Sequence, residues 1–180
     1  MRYLRIFIGV VIIGLLTSGC ATYKVTKELE APIQHSACKV SELTDVLPTS
    51  MDDEDRPTPA EIGHLETSIE QELTATGLFS AVGRYEDSSL YILNGTILAF
   101  RRGSGAVRFL IGFGLGDAKI TVDLKLVERP SGSVIFAGNF SQTIGDWTEK
   151  GEKMYDKIAR DFAKAIASRV KKLGTAQAKP

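Results

Sequence analysis

The sequence is poor in the residues from which most sites are built. It holds two cysteines, two histidines and one tryptophan in 180 positions. Two cysteines cannot make a disulfide framework, and so few histidines leave little for a metal cluster. Basic and acidic residues number 22 each, so the basic excess that nucleic-acid binding calls for is missing. The longest apolar run, Ile6 to Leu16, falls short of the about 20 residues that a permanent membrane-spanning helix needs.

Motifs for chemistry are equally scarce. Asp52-Asp53-Glu54-Asp55 lacks the spaced ligands and turn glycine of a calcium loop and reads as solvated. Gly112, Gly114 and Gly116 crowd together, but a dinucleotide loop needs a helix after it, and here a strand pattern follows. Gly103-Ser104-Gly105 lacks the flanks and the partnered histidine of a nucleophile elbow. No catalytic, cofactor-binding or metal residue is therefore assigned, and an enzyme is not expected.

What is present begins with an address. Arg2 and Arg5 precede the apolar run, and Leu16-Thr17-Ser18-Gly19-Cys20 closes it with small residues. That order is an export signal. The cysteine after it resembles the lipobox of bacterial lipoproteins, although Thr17 stands where that family usually has leucine. The resemblance implies a signal peptide over 1–19, acylation of Cys20 (palmitate among its chains) and stable attachment to the bilayer, since more than one acyl chain anchors durably. Ala21, in place of aspartate, implies sorting to the outer membrane, facing the periplasm. Cleavage removes Arg2 and Arg5, leaving 161 residues with 20 basic against 22 acidic side chains, a net of −2. That length suits one domain. Cys38 then has no partner and is expected to be a buried small hydrophobe, with an intermolecular disulfide as the alternative.

Residues 20–36 are polar and proline-containing and are expected to be a lipidated tether. A single domain is expected over 37–173, with a flexible tail at 174–180. Cys38 to Leu43 alternates as a first strand. Thr58-Pro59 with Glu61 forms a capping-box start, and Ile62, Leu65, Ile69 and Leu73 recur as one helical stripe that Gly77 ends. His64 falls away from that stripe and reads as solvated.

After a short segment at Phe79–Val82, Leu90–Phe100 reads as one strand with a glycine bulge at Gly95; a hairpin at Asn94-Gly95 is the alternative. Ala118–Leu126 alternates strictly, Glu128–Gly132 turns, and Val134, Phe136, Phe140 and Ile144 return as the second arm of a hairpin. A last helix starts near Asp146 or Thr148. Met154, Ile158, Phe162, Ile166 and Val170 form its stripe, and its lysines are read as a wet side, with anionic headgroups as the alternative contact. The expected fold class is α+β: a mainly antiparallel sheet of about four to five strands with two amphipathic helices on one face.

The apolar stretch Val107–Gly116 lies between two strands. Either Phe109, Ile111 and Phe113 cover the sheet edge or a helix end, or Phe109, Ile111, Phe113 and Leu115 form an exposed partner contact. Together Leu93-Asn94-Gly95-Thr96-Ile97, the run Arg108 to Lys119, Ser131-Gly132 and the late helix resemble the bacterial lipoprotein family called domain of unknown function 4410, over about residues 38–172. The topology is also similar to that of periplasmic lipoproteins of envelope assembly, including the curli secretion pore's family, though long transmembrane hairpins are missing. The expectation is a non-enzymatic envelope accessory or adapter that works through protein contacts and needs no cofactor or nucleic acid. The alternatives are an oligomeric component of a secretion or envelope transport assembly, or a small-ligand-binding periplasmic lipoprotein.

Overall fold

The structure is a computed structural model that describes residues 22–52, 55–85, 88–103, 117–144 and 151–177. In chain order its elements are β1 (Thr22–Lys27), β2 (Cys38–Val40), β3 (Thr44–Asp45), α1 (Pro59–Thr76), β4 (Val82–Gly83), β5 (Tyr91–Arg101), β6 (Ala118–Glu128), β7 (Ser133–Ile144) and α2 (Gly151–Gln177).

The alternation in β6 puts Ala118, Ile120, Val122, Leu124 and Leu126 on one buried face. A two-residue period requires this once one side meets a core. The β6–β7 hairpin forms as expected. Gly132 takes the left-handed φ of 66° that its turn needs, and its N–H donates to the Glu128 carbonyl at 2.9 Å. Around this hairpin the sheet runs β1-β7-β6-β5-β2-β4, with β3 also on β5. Neighbours from β1 to β5 are antiparallel, while β2 and β3 run parallel to β5, and β4 parallel to β2.

The fold is thus α+β with a mostly antiparallel sheet, but of seven strands rather than four or five. The short strand expected near Phe79–Val82 is β4, Val82–Gly83, and the addition β3 escapes a reading by periodicity because it has only two residues. The other addition, β1, lies in the stretch expected to be a tether. Its Thr-Tyr-Lys-Val-Thr-Lys is too polar for a core strand, yet it pairs with β7 along the sheet edge. Tyr23 stacks on Phe140 with ring centroids 5.5 Å apart, and Leu29 beyond it is buried.

The helices follow their sequence signals. Thr58 caps α1, with its side chain accepting from the Glu61 N–H and Glu61 reaching back to the Thr58 N–H. Gly77 ends it at φ 66°. Along α2 the stripe Met154, Ile158, Phe162 and Ile166 is buried, and Phe162 meets the rings of Phe136 and Phe140 at 6.0 and 5.4 Å. Burying each such side chain contributes about 1.5–3 kcal/mol. The helix continues past Leu173 to Gln177, into the stretch expected to be a tail; the start expected at Asp146 or Thr148 lies outside the described residues.

Two local expectations change. Leu90–Phe100 is one strand, but its irregularity lies between Ile97 and Ala99, not at Gly95. Gly95 is instead a close-approach site: a Cβ there would lie 2.9 Å from Leu43 Cγ and 3.0 Å from Leu124 Cδ2. His64 is not merely solvated, because its Nε2 lies 3.0 Å from Asp156 Oδ1 on α2. Cys38 is fully buried, and burial pushes its thiol up to about 12, against a smaller opposing pull from the Leu93 backbone.

Candidate functional site

Cys20 and the run containing Phe109, Ile111, Phe113 and Leu115 lie outside the described residues. Their points of attachment are described, and the sheet brings them to one end. Strand β5 ends at Arg101 and β6 begins at Ala118, with Arg101 paired to Lys119 and Lys119 to Thr143 near the end of β7. Strand β1 runs antiparallel to β7 and starts at this same end, where Thr22 pairs with Ser141. Cys20 precedes Thr22 by two positions, a reach of about 7 Å for an extended chain.

The described residues that flank positions 104–116 are fastened. Arg101 Nε donates to the Asp117 carbonyl at 2.9 Å, which closes the neck between the end of β5 and the start of β6. Next to it, Arg102 forks onto Glu61, with Nη1 2.7 Å from Oε1 and Nη2 2.6 Å from Oε2, and also donates to the Arg56 carbonyl at 2.9 Å. Its guanidinium lies 5.4 Å from the centre of the Phe100 ring. A planar fork on a carboxylate fixes direction as well as distance, so the chain just past β5 is tied at Arg102 to the N-terminal turn of α1. Burial alone would raise the Glu61 carboxyl, but hydrogen bonds from Arg102 and Thr58 outweigh it and hold it below its ordinary value. From the sequence, Arg102 is just one of two adjacent arginines. Its partner stands 41 positions away, and no local pattern reveals that.

A second feature is a cleft of about 650 Å³ between α1 and the β2–β4 edge, lined by Glu66, Arg84, Lys39, Glu42 and the largely exposed Tyr85. Two of its charges, Arg84 and Glu66, are spent on one another. Arg84 places Nη1 3.0 Å from Glu66 Oε2 and donates from Nε to Glu70 Oε1 at 2.8 Å. Its Nη2 donates to the Gly63 carbonyl at 3.1 Å and to Thr67 Oγ1 at 2.8 Å. Glu66 Oε1 accepts from the Leu43 N–H at 2.8 Å. This is an internal staple of α1 to the sheet edge.

His64, Asp156 and Ser68 also meet, but in an order unlike a nucleophilic relay. Ser68 Oγ donates directly to Asp156 Oδ1 at 2.7 Å, the atom that His64 approaches, so the imidazole does not take the serine proton. The trio links the two helices. Among the described residues no three or more His, Cys, Asp or Glu side chains gather as a metal site, and no helix is long and apolar enough to cross a membrane.

A family model described as a domain of unknown function, DUF4410, matches residues 33–179. The chain belongs to the DUF4410 family. No curated protein matches its sequence. The DUF4410 fold here is similar to the PelC dodecamer from Paraburkholderia phytofirmans, with TM-score 0.57 at 16% identity over 80% of this chain and 97% of that one. It is also similar to a Xanthomonas campestris protein of the DUF330 family, with TM-score 0.51 at 17% identity over 79% and 92%. At such identities the likeness is one of fold alone.

Proposed function

We propose that this DUF4410 chain is a non-enzymatic lipoprotein, anchored through acylated Cys20 in the outer membrane and facing the periplasm, that serves as an envelope adapter through protein contacts. In this reading both helices cover one face of the sheet, and the run containing Phe109, Ile111, Phe113 and Leu115 is the surface offered to a partner. The observation that supports it is the fastened neck: Arg101 on Asp117, and Arg102 forked on Glu61. A contact segment works best when a rigid scaffold aims it. The test is crosslinking with mass spectrometry on intact envelopes. Phe109→Ser with Phe113→Ser should lose the crosslinks to one partner while the chain melts as the wild type does; a variant that is unfolded, or melts well below the wild type, would mean that these rings are core. Globomycin, which blocks lipoprotein processing, should leave the leader attached, and normal maturation in its presence would remove the anchor.

A second reading, an oligomeric component of a secretion or transport assembly, draws support from the fold shared with the PelC dodecamer. Strand β1 leaves six residues of sheet edge without a neighbour among the described residues, and head-to-tail use of such an edge builds rings when the rotation closes. Mass measurement after detergent extraction decides it: a monomer at envelope concentrations rules the ring out.

A further inference from the structure

We propose that the face of the sheet turned away from Phe136 and Phe140 docks on an anionic lipid surface. Paired residues point to the same side of a sheet, so the register defines this face. One row crosses the strands as Lys24, Asn139, Asp123, Thr96 and Thr44; the next as Lys27, Ala137, Lys125 and Asn94. Thr143, Lys119 and Arg101 form another at the end where the chain enters, and Lys39 lies opposite Ile92 at the far flank. Thr121 and Ser141 confirm the shared side with hydroxyls 2.9 Å apart.

The face therefore carries Lys24, Lys27, Lys119, Lys125 and Arg101. Among the described strand residues its one carboxylate is Asp123, which Lys125 already holds at 2.8 Å, and Lys27 is paired with Glu30 beyond the strand. A chain of zero formal net charge has thus gathered cations on one face of the sheet. Lys24, Lys119, Lys125 and Arg101 are exposed there.

Ion pairs within the fold engage only Lys27 and Lys125 of this surface, and a second copy offers it no spare charge through α1. The four glutamates of α1 are engaged already: Glu61 with Arg102, Glu66 and Glu70 with Arg84, Glu72 with Arg160. For Lys24, Lys119 and Arg101, which meet no carboxylate among the described residues, the complement comes from outside. An anionic bilayer supplies it, because clustered lysines and arginines near such a surface each contribute about a fivefold gain in binding. This rests in part on the proposed anchor, since acylated Cys20 enters the sheet at Thr22 and would hold the face within reach of the headgroups.

The test uses the full chain, reconstituted in vesicles of phosphatidylcholine with or without phosphatidylglycerol. A fluorophore goes on Asn94→Cys, exposed on this face, or on Ser168→Cys, exposed on α2; buried Cys38 does not compete for label. With phosphatidylglycerol, a headgroup-attached quencher should quench the Asn94 label and spare the Ser168 label. Lys24→Glu with Lys119→Glu should cut the docked fraction at least about tenfold. Equal quenching in neutral vesicles, stronger quenching at Ser168, or a response to soluble dextran sulfate but not to anionic vesicles would each overturn the proposal. The anchor is scored separately by a high-salt wash. Loss of the chain from the vesicles in that wash would refute lipidated Cys20, while salt-sensitive quenching before the wash would still support the docking face.

Discussion

Arg84 Nη1 lies 3.0 Å from Glu66 Oε2, and Glu66, with only 5% of its side chain exposed, uses its other oxygen to accept from the Leu43 backbone. This pair fastens α1 to the sheet edge through a carboxylate that has left water. Removing the carboxylate strands both donors. Glu66→Ala should therefore cost about 2–3 kcal/mol. Arg84→Ala, at the more exposed end, should cost about 1–2 kcal/mol. Urea unfolding monitored by circular dichroism checks both, and equal small losses would mean that the staple is ornamental.

Gly95 tests packing rather than charge. Its missing Cβ leaves room for Leu43 and Leu124, so Gly95→Ala should destabilise by about 1–3 kcal/mol, despite alanine's better fit to a strand backbone. Pairing it with Leu43→Ala should recover part of the loss, read as a shift in urea midpoint. Purely additive losses would argue against the steric account.

Two carboxylates should shape the acid limb in opposite senses. Glu61 is held below its ordinary value, so its contribution is complete above the unfolded pKa and is lost as pH falls through the folded one. Arg102→Ala should remove that loss and flatten the limb. Asp161 is raised, chiefly by burial, with Lys157, Lys164 and Arg160 opposing. Its ionised form is penalised in the fold, so stability declines as pH rises from its unfolded to its folded pKa. Asp161→Asn should raise the melting temperature at neutral pH and erase that decline. A pH series of thermal melts on the two variants separates the effects.

Cys38 should be inert. With its side chain buried and its thiol pushed up to about 12, it should resist maleimide in the native protein and react promptly in urea. Rapid native labelling would contradict the packing of β2 against β5.

Much of the frame is legible in the sequence, and the reason is periodicity. Ala118–Leu126 alternates because one side faces the core, and Met154, Ile158, Phe162 and Ile166 recur because one side of a helix does. The caps of α1 are equally local: Thr58, Glu61 and Gly77 act within a few positions of themselves. What escapes is set by distant partners. Strand β1 is polar and is a strand only because β7 offers it an edge. The same holds for Arg102 on Glu61 and for Arg84 on Glu66 and Glu70, which no spacing rule connects. Gly95 could be singled out as unusual, but its purpose lies in a leucine 52 positions earlier.

The pairing of Thr22 with Ser141 has a consequence for folding. These partners are separated by nearly the whole domain, so the opening strand must remain unzipped until the hairpin carrying Ser141 has been synthesised. Through that interval β1 has no edge to join, and its polar side chains keep it in water. The seam between the first described strand and β7 thus closes only after the hairpin has formed.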